Sequence, residues 1–551
     1  MAGNVYGIDL GTTYSCIAHV DEHGKPVVLP NSLGKLTTPS VVYFESKDNV
    51  VVGESAKEEL PINPGMVEST VKRVMGKENW TCEHHGQTYS PQQVSAYILK
   101  KLVTDAQAMT IDKITDVVIT VPAYFGTSQK EATKQAGELA GLNVLYVIPE
   151  PTAAAIDYGI EADDNQTILV YDLGGGTFDI TVIRTEKGVI KGLATGGDDQ
   201  LGGKNWDELI CDYIVLEVSE EIGVSVDDIN ENKEAIMDFM GIAEEIKQGL
   251  STKNTVSKRV VYDGERITIE LTREKFDNLT EGPLASSFSL TDQLLERIKE
   301  KGFDSVDKIL LVGGSTYMPQ VIEGIKKRYP YEVIQFDPNQ AVAKGAALFG
   351  HMCNLDREIK LEVQDILGEK VENIDDVPED ELNRAREKVA EKRGMSLPDL
   401  NDLANKKVIN VTSRSFGVVV IDSNDKHEKV SNLIFVDDSL PADVTQTFSV
   451  YRDGQEGVTI RCIENTLREE NIELNPEEEI GQAELRFTKP LPAGSEVEIS
   501  FHLSDDGLLK VHARDMTTNS EIDSQFNTLC IMKDEEMEEA KSQMLTQTIS
   551  D

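Results

Sequence analysis

Two short segments carry the residue types that phosphate chemistry needs. GIDLGTT at Gly7–Thr13 and DLGGGTFD at Asp172–Asp179 each end a β-branched apolar run and turn through glycine. Glycine lets such a turn present successive backbone N–H groups to phosphate oxygens, and threonine adds a hydroxyl donor. The strand-end aspartates Asp9 and Asp172 would repel phosphate in direct contact. They suit an outer-sphere role, holding waters of Mg²⁺, which keeps several waters when bound. Either segment alone reads as an ordinary strand-end turn. Two related segments in one strand context point to nucleotide binding.

The elements that must position these loops follow from the same comparison. VYGIDLGTT at Val5–Thr13 and LVYDLGGGT at Leu169–Thr177 share the order strand, Asp, Leu, Gly, Thr. Their spacing of roughly 160 residues is too long for a solenoid period, so a duplicated lobe is expected, with two like sheets facing a cleft. Val117–Val121, Ile168–Asp172 and Lys308–Val312 are short apolar runs alternating with helical patterns, which predicts α/β with buried sheets over residues 1–355. Residues 356–405 are strongly charged and interrupted at Pro378 and Pro398; they read as an exposed, mobile helical insertion or linker. From 406 to 533 the pattern turns all-β, with Asp506-Gly507 the clearest hairpin signal. Residues 534–551 read as a short C-terminal helix or tail, too short to pack as a bundle.

Bulk properties narrow the classes. A chain of 551 residues is too long for one core. The net charge of −43 argues against nucleic acid or an anionic membrane as a partner. No apolar run approaches the ~18 residues of a membrane helix, and the N-terminus enters a strand with no secretory pattern. Cys16, Cys82, Cys211, Cys353, Cys462 and Cys530 are scattered singly, with no CxxC and no metal-ligand spacing. Reduced thiols in a cytoplasmic protein are expected.

Beyond the two loops stand TVKRVMG (Thr70–Gly76), ITVPAYF (Ile119–Phe125), EPTAAAIDYG (Glu150–Gly159), LVGGSTYMP (Leu311–Pro319) and AVAKGAA (Ala341–Ala347). Together these resemble the 70-kDa heat-shock protein (DnaK-type) chaperone family from Tyr6 to about Asp515. The resemblance implies an α/β actin-like two-lobed ATPase followed by a β-sandwich, with ATP or ADP, Mg²⁺ and K⁺ as cofactors. It places Gly11, Thr12, Thr13 and Tyr14 in the first phosphate loop, and Gly174, Gly175, Gly176 and Thr177 in the second. Asp9 and Asp172 would stand around the magnesium, Asp179 near the attacking water, and Glu150 would position water. Lys72 would reach the γ-phosphate, a cation able to stabilise charge growing on the transferred group. Lys72, Glu150, Asp172, Thr177 and Asp179 are thus the implied catalytic set. Gly202, Gly203, Gly313, Gly314 and Ser315 complete the implied nucleotide contacts, with Glu244, Lys247 and Ser251 on the adenosine side. Gln248 and Tyr317 stand where the family carries adenine-stacking arginines, and Asn339 where it carries aspartate. Looser nucleotide binding or faster exchange is expected from this.

The β-rich segment resembles the family's peptide-binding sandwich, most clearly in GLLKVHARD at Gly507–Asp515. The resemblance implies a groove for extended apolar peptides lined by Val418, Val420, Ile421, Phe448, Tyr451, Val458 and Ile460, although alternating Val, Ile and Phe also describe plain sandwich core. Three departures accompany it. The helical lid is missing, which predicts fast peptide escape. The linker VINVT at Val408–Thr412 lacks the usual acidic-leucine run, which puts interdomain coupling in doubt. Tyr146 replaces an arginine that contacts J-domain cochaperones, so partnership with a J-domain protein or exchange factor is an open expectation. Three functions compete: an ATP-driven chaperone acting on unfolded segments, an ATPase-switch adaptor, and, least favoured, a small-molecule kinase of the same superfold.

Overall fold

The computed structural model describes residues 4–77, 79–159, 165–371, 374–422, 426–525 and 531–551; Cys530 lies outside them. The two motif-bearing strands sit at equivalent places in two sheets. In the first, the order is Asn143–Pro149, Asp116–Val121, Val5–Asp9, Tyr14–Val20, Pro26–Leu29. In the second, it is Glu332–Gln335, Lys308–Val312, Gln166–Leu173, Phe178–Glu186, Val189–Asp198. Each motif strand pairs parallel on one side and antiparallel on the other. Asp9 lies beside Thr120 and Cys16, and Asp172 beside Val312 and Asp179. The strand-by-strand match is the duplication that the sequence repeat predicts.

These strands are near-continuous apolar runs because helices cover both faces of their sheets. The helices Ala341–Leu367 and Glu150–Gly159 wedge between the two sheets. Val5, Ile148, Ala153, Val170, Leu310, Ala343 and Ala346 form the shared core there. Small residues make this wedge possible. A Cβ on Gly345 would collide with the Ala153 carbonyl, and one on Gly7 with the backbone of Ala347, so helix and strand backbones touch directly.

The segment 356–405 departs from the expectation of a mobile linker. Helix Ala341–Leu367 runs unbroken across the expected boundary at 355. It then packs with Glu379–Arg393 and Leu397–Ala404 around Leu355, Ile359, Val363, Ala385, Val389 and Leu400, all buried. The prolines begin helices rather than break them: Pro378 is an N-cap, and Pro398 sits in the first turn behind the Ser396 cap. Charge on the outer faces had hidden a small apolar core. The linker strand Lys407–Ile409 then adds in parallel to Val189–Asp198, extending the second sheet.

The β region is two packed sheets. One has the order Asn471–Glu473, Glu428–Ile434, Ser415–Ile421, Gln455–Asn465, Glu479–Leu491. The other is Ala442–Ser449, Glu496–Leu503, Leu509–Asp515, Glu521–Gln525. Phe416, Ile434, Ile460, Leu485, Phe501 and Val511 fill the space between them. The Asp506-Gly507 turn joins Glu496–Leu503 to Leu509–Asp515, with Gly507 at φ 76° as that turn requires.

The C-terminal segment is no free tail. Helix Asp534–Thr546 buries Met537, Ala540 and Met544 in the core of the first lobe. The strand Thr548–Ser550 then pairs in parallel with Asn49–Val52.

Candidate nucleotide cleft

A cavity of about 660 Å³ opens between the lobes. It gathers most of the residues singled out from sequence. Asp9, Gly11, Thr12, Thr13, Tyr14, Lys72 and Glu150 line it from the first lobe and its flanking segments; Asp172, Gly174, Gly175 and Thr177 line it from the second. Glu244, Lys247, Gln248, Ser251, Gly313, Gly314, Ser315, Tyr317 and Asn339 also reach it. Gly176, Gly202, Gly203 and Asp179 stand behind this lining rather than in it.

The two phosphate loops are pressed against each other. A Cβ on Gly175 would strike the Thr13 side chain, and one on Gly176 the Thr12 side chain. Glycine is therefore needed here for close approach. Gly202 and Gly203 act from behind by the same device. A Cβ on Gly202 would enter the backbone of Gly176–Thr177, and Gly203 N–H donates to the Gly174 carbonyl at 3.0 Å. The Ser315 hydroxyl donates to that same carbonyl at 2.8 Å. The first loop is fixed by Ser40, whose hydroxyl donates to the Gly11 carbonyl at 2.7 Å, and by Ser15, which accepts from Gly11 N–H.

Beneath the loops lies a dense charge cluster. Lys72 is buried in a 3₁₀ turn entered through Thr70, which adopts a left-handed conformation. Its ammonium is bonded to the carboxylate of Glu150, the first residue of helix Glu150–Gly159. Burial pushes the Asp9 carboxyl up to about 7, with repulsion from Glu150 adding to it and Lys72 and the Thr120 hydroxyl opposing. Asp172 is also raised, by burial, then Glu150 and Asp9. Asp179 is raised by burial, then Glu150 and Asp172; one oxygen accepts Ala123 N–H and the other is buried without a partner among the described residues. Four carboxylates around one lysine form a site short of positive charge. A hydrated divalent cation between Asp9 and Asp172 fits that deficit, since its charge inverts the local balance.

At the end of the cleft lined by Glu244, Lys247, Gln248 and Tyr317, Lys247 is tied to Asp207 at 2.7 Å and to the Gly203 carbonyl at 3.0 Å. Gln248 donates to Glu244 at 3.2 Å, and the Tyr317 ring is exposed at the rim. Lys57 reaches across the cleft mouth to Glu244 at 2.6 Å and to the Tyr14 hydroxyl at 2.9 Å, closing one lobe on the other. Sequence reasoning missed Lys57, Asp207 and Arg73. Arg73 donates to the Gly176 carbonyl at 2.9 Å and thereby ties the lysine-bearing segment to the second phosphate loop. The KRVMG motif had drawn attention to Lys72 alone.

With that geometry in place, the sequence matches the family model described as Hsp70 protein over residues 5–412 and 400–551. The chain belongs to the Hsp70 family. Members of the family are ATPases and ATP-dependent chaperones, bind ATP or ADP with Mg²⁺, and generally bind unfolded peptides and J-domain and exchange-factor cochaperones. Among the described residues no helix is long and apolar enough to cross a membrane.

The seven residues read as a peptide groove divide in the Hsp70 chain. Val418 and Ile460 are buried inside the sandwich, against the expectation that they line an open groove; in this arrangement they are core. Val420, Phe448 and Val458 are partly buried against that core. Ile421 and Tyr451 are exposed, with Lys426 over the Tyr451 ring at 5.4 Å. Tyr146, which stands in place of the arginine expected from the resemblance, is half-buried and packs edge-on against Phe349.

Proposed function

We propose that the chain hydrolyses Mg-ATP in this cleft and couples nucleotide state to the binding of extended apolar peptide segments, as an ATP-dependent chaperone. The observation that carries the reading is the linker strand Lys407–Ile409. It continues the sheet whose central strand Gln166–Leu173 carries Asp172 near its end, so a change at the phosphates has a backbone route to the β domain. A small-molecule kinase would have no use for such a strand.

The actin-like ATPase unit takes in residues 1–355 together with the helices packed on it up to Ala404, and the peptide-binding sandwich lies within 406–533. The loops at Gly11–Tyr14 and Gly174–Thr177 would cradle the phosphates with backbone N–H groups and threonine hydroxyls. Asp9 and Asp172 would hold magnesium through water, and magnesium would supply charge neutralisation at the phosphates. Lys72 would turn from Glu150 toward the transferred phosphoryl group, and the freed Glu150, with Asp179 and Thr177, would orient the attacking water. Gln248, Tyr317 and Asn339 would hold the adenosine more loosely than the family's usual arginines and aspartate, giving faster exchange. K⁺, J-domain and exchange-factor partners and a cytoplasmic location belong to the same proposal.

A specific observation favours a second reading, an ATPase-switch adaptor with little peptide handling: Val418 and Ile460 are enclosed in the sandwich core. One experiment separates the two. ATP turnover is measured with and without apolar peptides, for wild type and Lys72→Ala. The chaperone reading expects peptide stimulation in wild type and a loss of about 100-fold or more in the mutant. No stimulation by any peptide leaves the switch, and full activity in Lys72→Ala removes the catalytic assignment.

A further inference from the structure

A second group of metal-ligating side chains lies in the first lobe, outside the nucleotide cleft. Cys82 and His84 belong to the strand Cys82–His84, and residues two apart on a strand project from the same face. Glu68 comes from the strand Val67–Ser69, brought alongside by the fold. A ligand atom from each of the three lies within 4.8 Å of the other two. The His84 ring is buried, stacks on Phe44 with centroids 4.3 Å apart, and directs Nε2 at Glu68 Oε1 across 3.0 Å. Its Nδ1 is buried with no hydrogen-bond partner among the described residues. Cys82 and Glu68 are only half-buried, so solvent reaches the group from their side.

We propose that Glu68, Cys82 and His84 form a zinc site with a solvent-supplied fourth ligand. A sulfur, an imidazole nitrogen and a carboxylate oxygen together match Zn²⁺, whereas Mg²⁺ and Ca²⁺ select oxygen ligands alone. From the usual bond lengths, neighbouring ligand atoms of a tetrahedral zinc lie about 3.3–3.8 Å apart. A separation at the 4.8 Å limit would have to shrink by about 1 Å, which side-chain rotation at the half-buried Cys82 and Glu68 supplies. The thiol proton leaves to solvent as the sulfur ligates. The plainer reading, a His84–Glu68 hydrogen bond beside a packed thiol, accounts for Nε2. It also gives the sulfur a partner, because the Cys82 thiol bonds to the Glu68 carboxylate besides its 3.9 Å approach to the Tyr89 carbonyl; Glu68 thus gathers both other ligands at the one point where a cation would hold all three. A bound ion would join the strand Val67–Ser69, which runs directly into the turn holding Lys72, to the Cys82–Tyr89 hairpin beneath the C-terminal helix.

Cobalt reports the site directly. The full-length chain is saturated with Mg-ADP, so that the cleft carboxylates are occupied, and then titrated with Co²⁺ and back-titrated with Zn²⁺. One equivalent of Co²⁺ should give a thiolate-to-cobalt charge-transfer absorption that Zn²⁺ bleaches. Cys82→Ser should abolish the band, and His84→Asn, which removes a ligand, should weaken zinc binding by more than the roughly 10- to 100-fold that loss of a ligand's supporting partner costs. Because His84 packs in the core, Glu68→Gln at its half-exposed position repeats the test at lower risk to folding. No charge-transfer band in wild type overturns the proposal. So does a band that survives Cys82→Ser, or zinc affinity unchanged by both Glu68→Gln and His84→Asn.

Discussion

The buried Lys72–Glu150 pair ties the lysine proposed to act in catalysis to the stability of the fold at a single contact. Both side chains are almost completely enclosed, so removing one leaves the other charged without compensation, at a cost of about 3–5 kcal/mol. Lys72→Ala should therefore lower the melting temperature of the nucleotide-free protein, and Glu150→Gln in the same chain should restore most of it without restoring turnover. A fully additive double mutant would mean the pair is not coupled. A second residue-scale effect belongs to His351, held within helix Ala341–Leu367. Burial, with Arg393 nearby, lowers it to about 4 from its ordinary 6.5. The unfolded chain then takes up a proton that the folded chain refuses, so stability is present above about pH 6.5 and is lost as pH falls toward 4. Across about pH 7 to pH 5 this amounts to about 2 kcal/mol. Asp356, raised by burial to about 6, works in the opposite direction. Comparing wild type with His351→Gln isolates the histidine: the melting temperature of the mutant should fall less over that range, and equal slopes would remove His351 as the cause.

Among the elements, those shaped by local chemistry were legible in the sequence. Glycine and threonine at a strand end betray the phosphate loops because few other residues can make that turn, and the repeat betrays the two matching sheets. What stayed hidden depended on partners far away in the chain. Met537, Ala540 and Met544 make an apolar stripe at helical spacing in an otherwise acidic segment, which predicts a helix but says nothing about the lobe it covers. Cys82, His84 and Glu68 likewise become neighbours only when two strands come together. The C-terminal clasp has its own signature in Gln547. Its buried amide donates to the Lys47 carbonyl at 3.0 Å and to the Tyr89 hydroxyl at 3.1 Å, and accepts from Tyr97. Gln547→Ala strands those groups and should cost about 1–3 kcal/mol. Met544→Ala empties a core position and should cost about 2–5 kcal/mol. Hydrogen exchange would locate the loss: amides of Asp534–Thr546 and Asn49–Val52 should exchange faster together, and protection unchanged in both would show the clasp is not a cooperative unit.

For the whole molecule, the β-rich region is held against the two α/β lobes by the paired strand Lys407–Ile409 and by charged contacts on two faces. On one, Asp437 is fully buried, accepts Thr195 N–H at 3.2 Å, and lies 3.7 to 4.0 Å from Arg297, Arg468 and Lys301. On the other, Glu464 accepts Thr127 N–H at 3.0 Å at the start of helix Thr127–Leu139, and Arg414 donates to the Tyr124 carbonyl at 3.1 Å. A carboxylate at a helix N-terminus is favoured by the helix dipole, and the acceptor is lost with the side chain. Asp437 carries the larger burden, because Asp437→Ala would leave Arg297, Lys301 and Arg468 facing one another without a counter-charge. With the strand Lys407–Ile409 still paired, Glu464→Ala should loosen one face only and leave the domains together. Asp437→Ala should free the sandwich, raising the radius of gyration in solution scattering and exposing the 406–412 linker to proteolysis. The nucleotide cleft lies apart from this contact, so Mg-ADP binding should persist while any stimulation of turnover by peptide is lost. If Asp437→Ala left scattering and linker protection as in wild type, the docking would rest on the sheet extension and the Glu464–Arg414 face, and the buried aspartate would be a local structural feature.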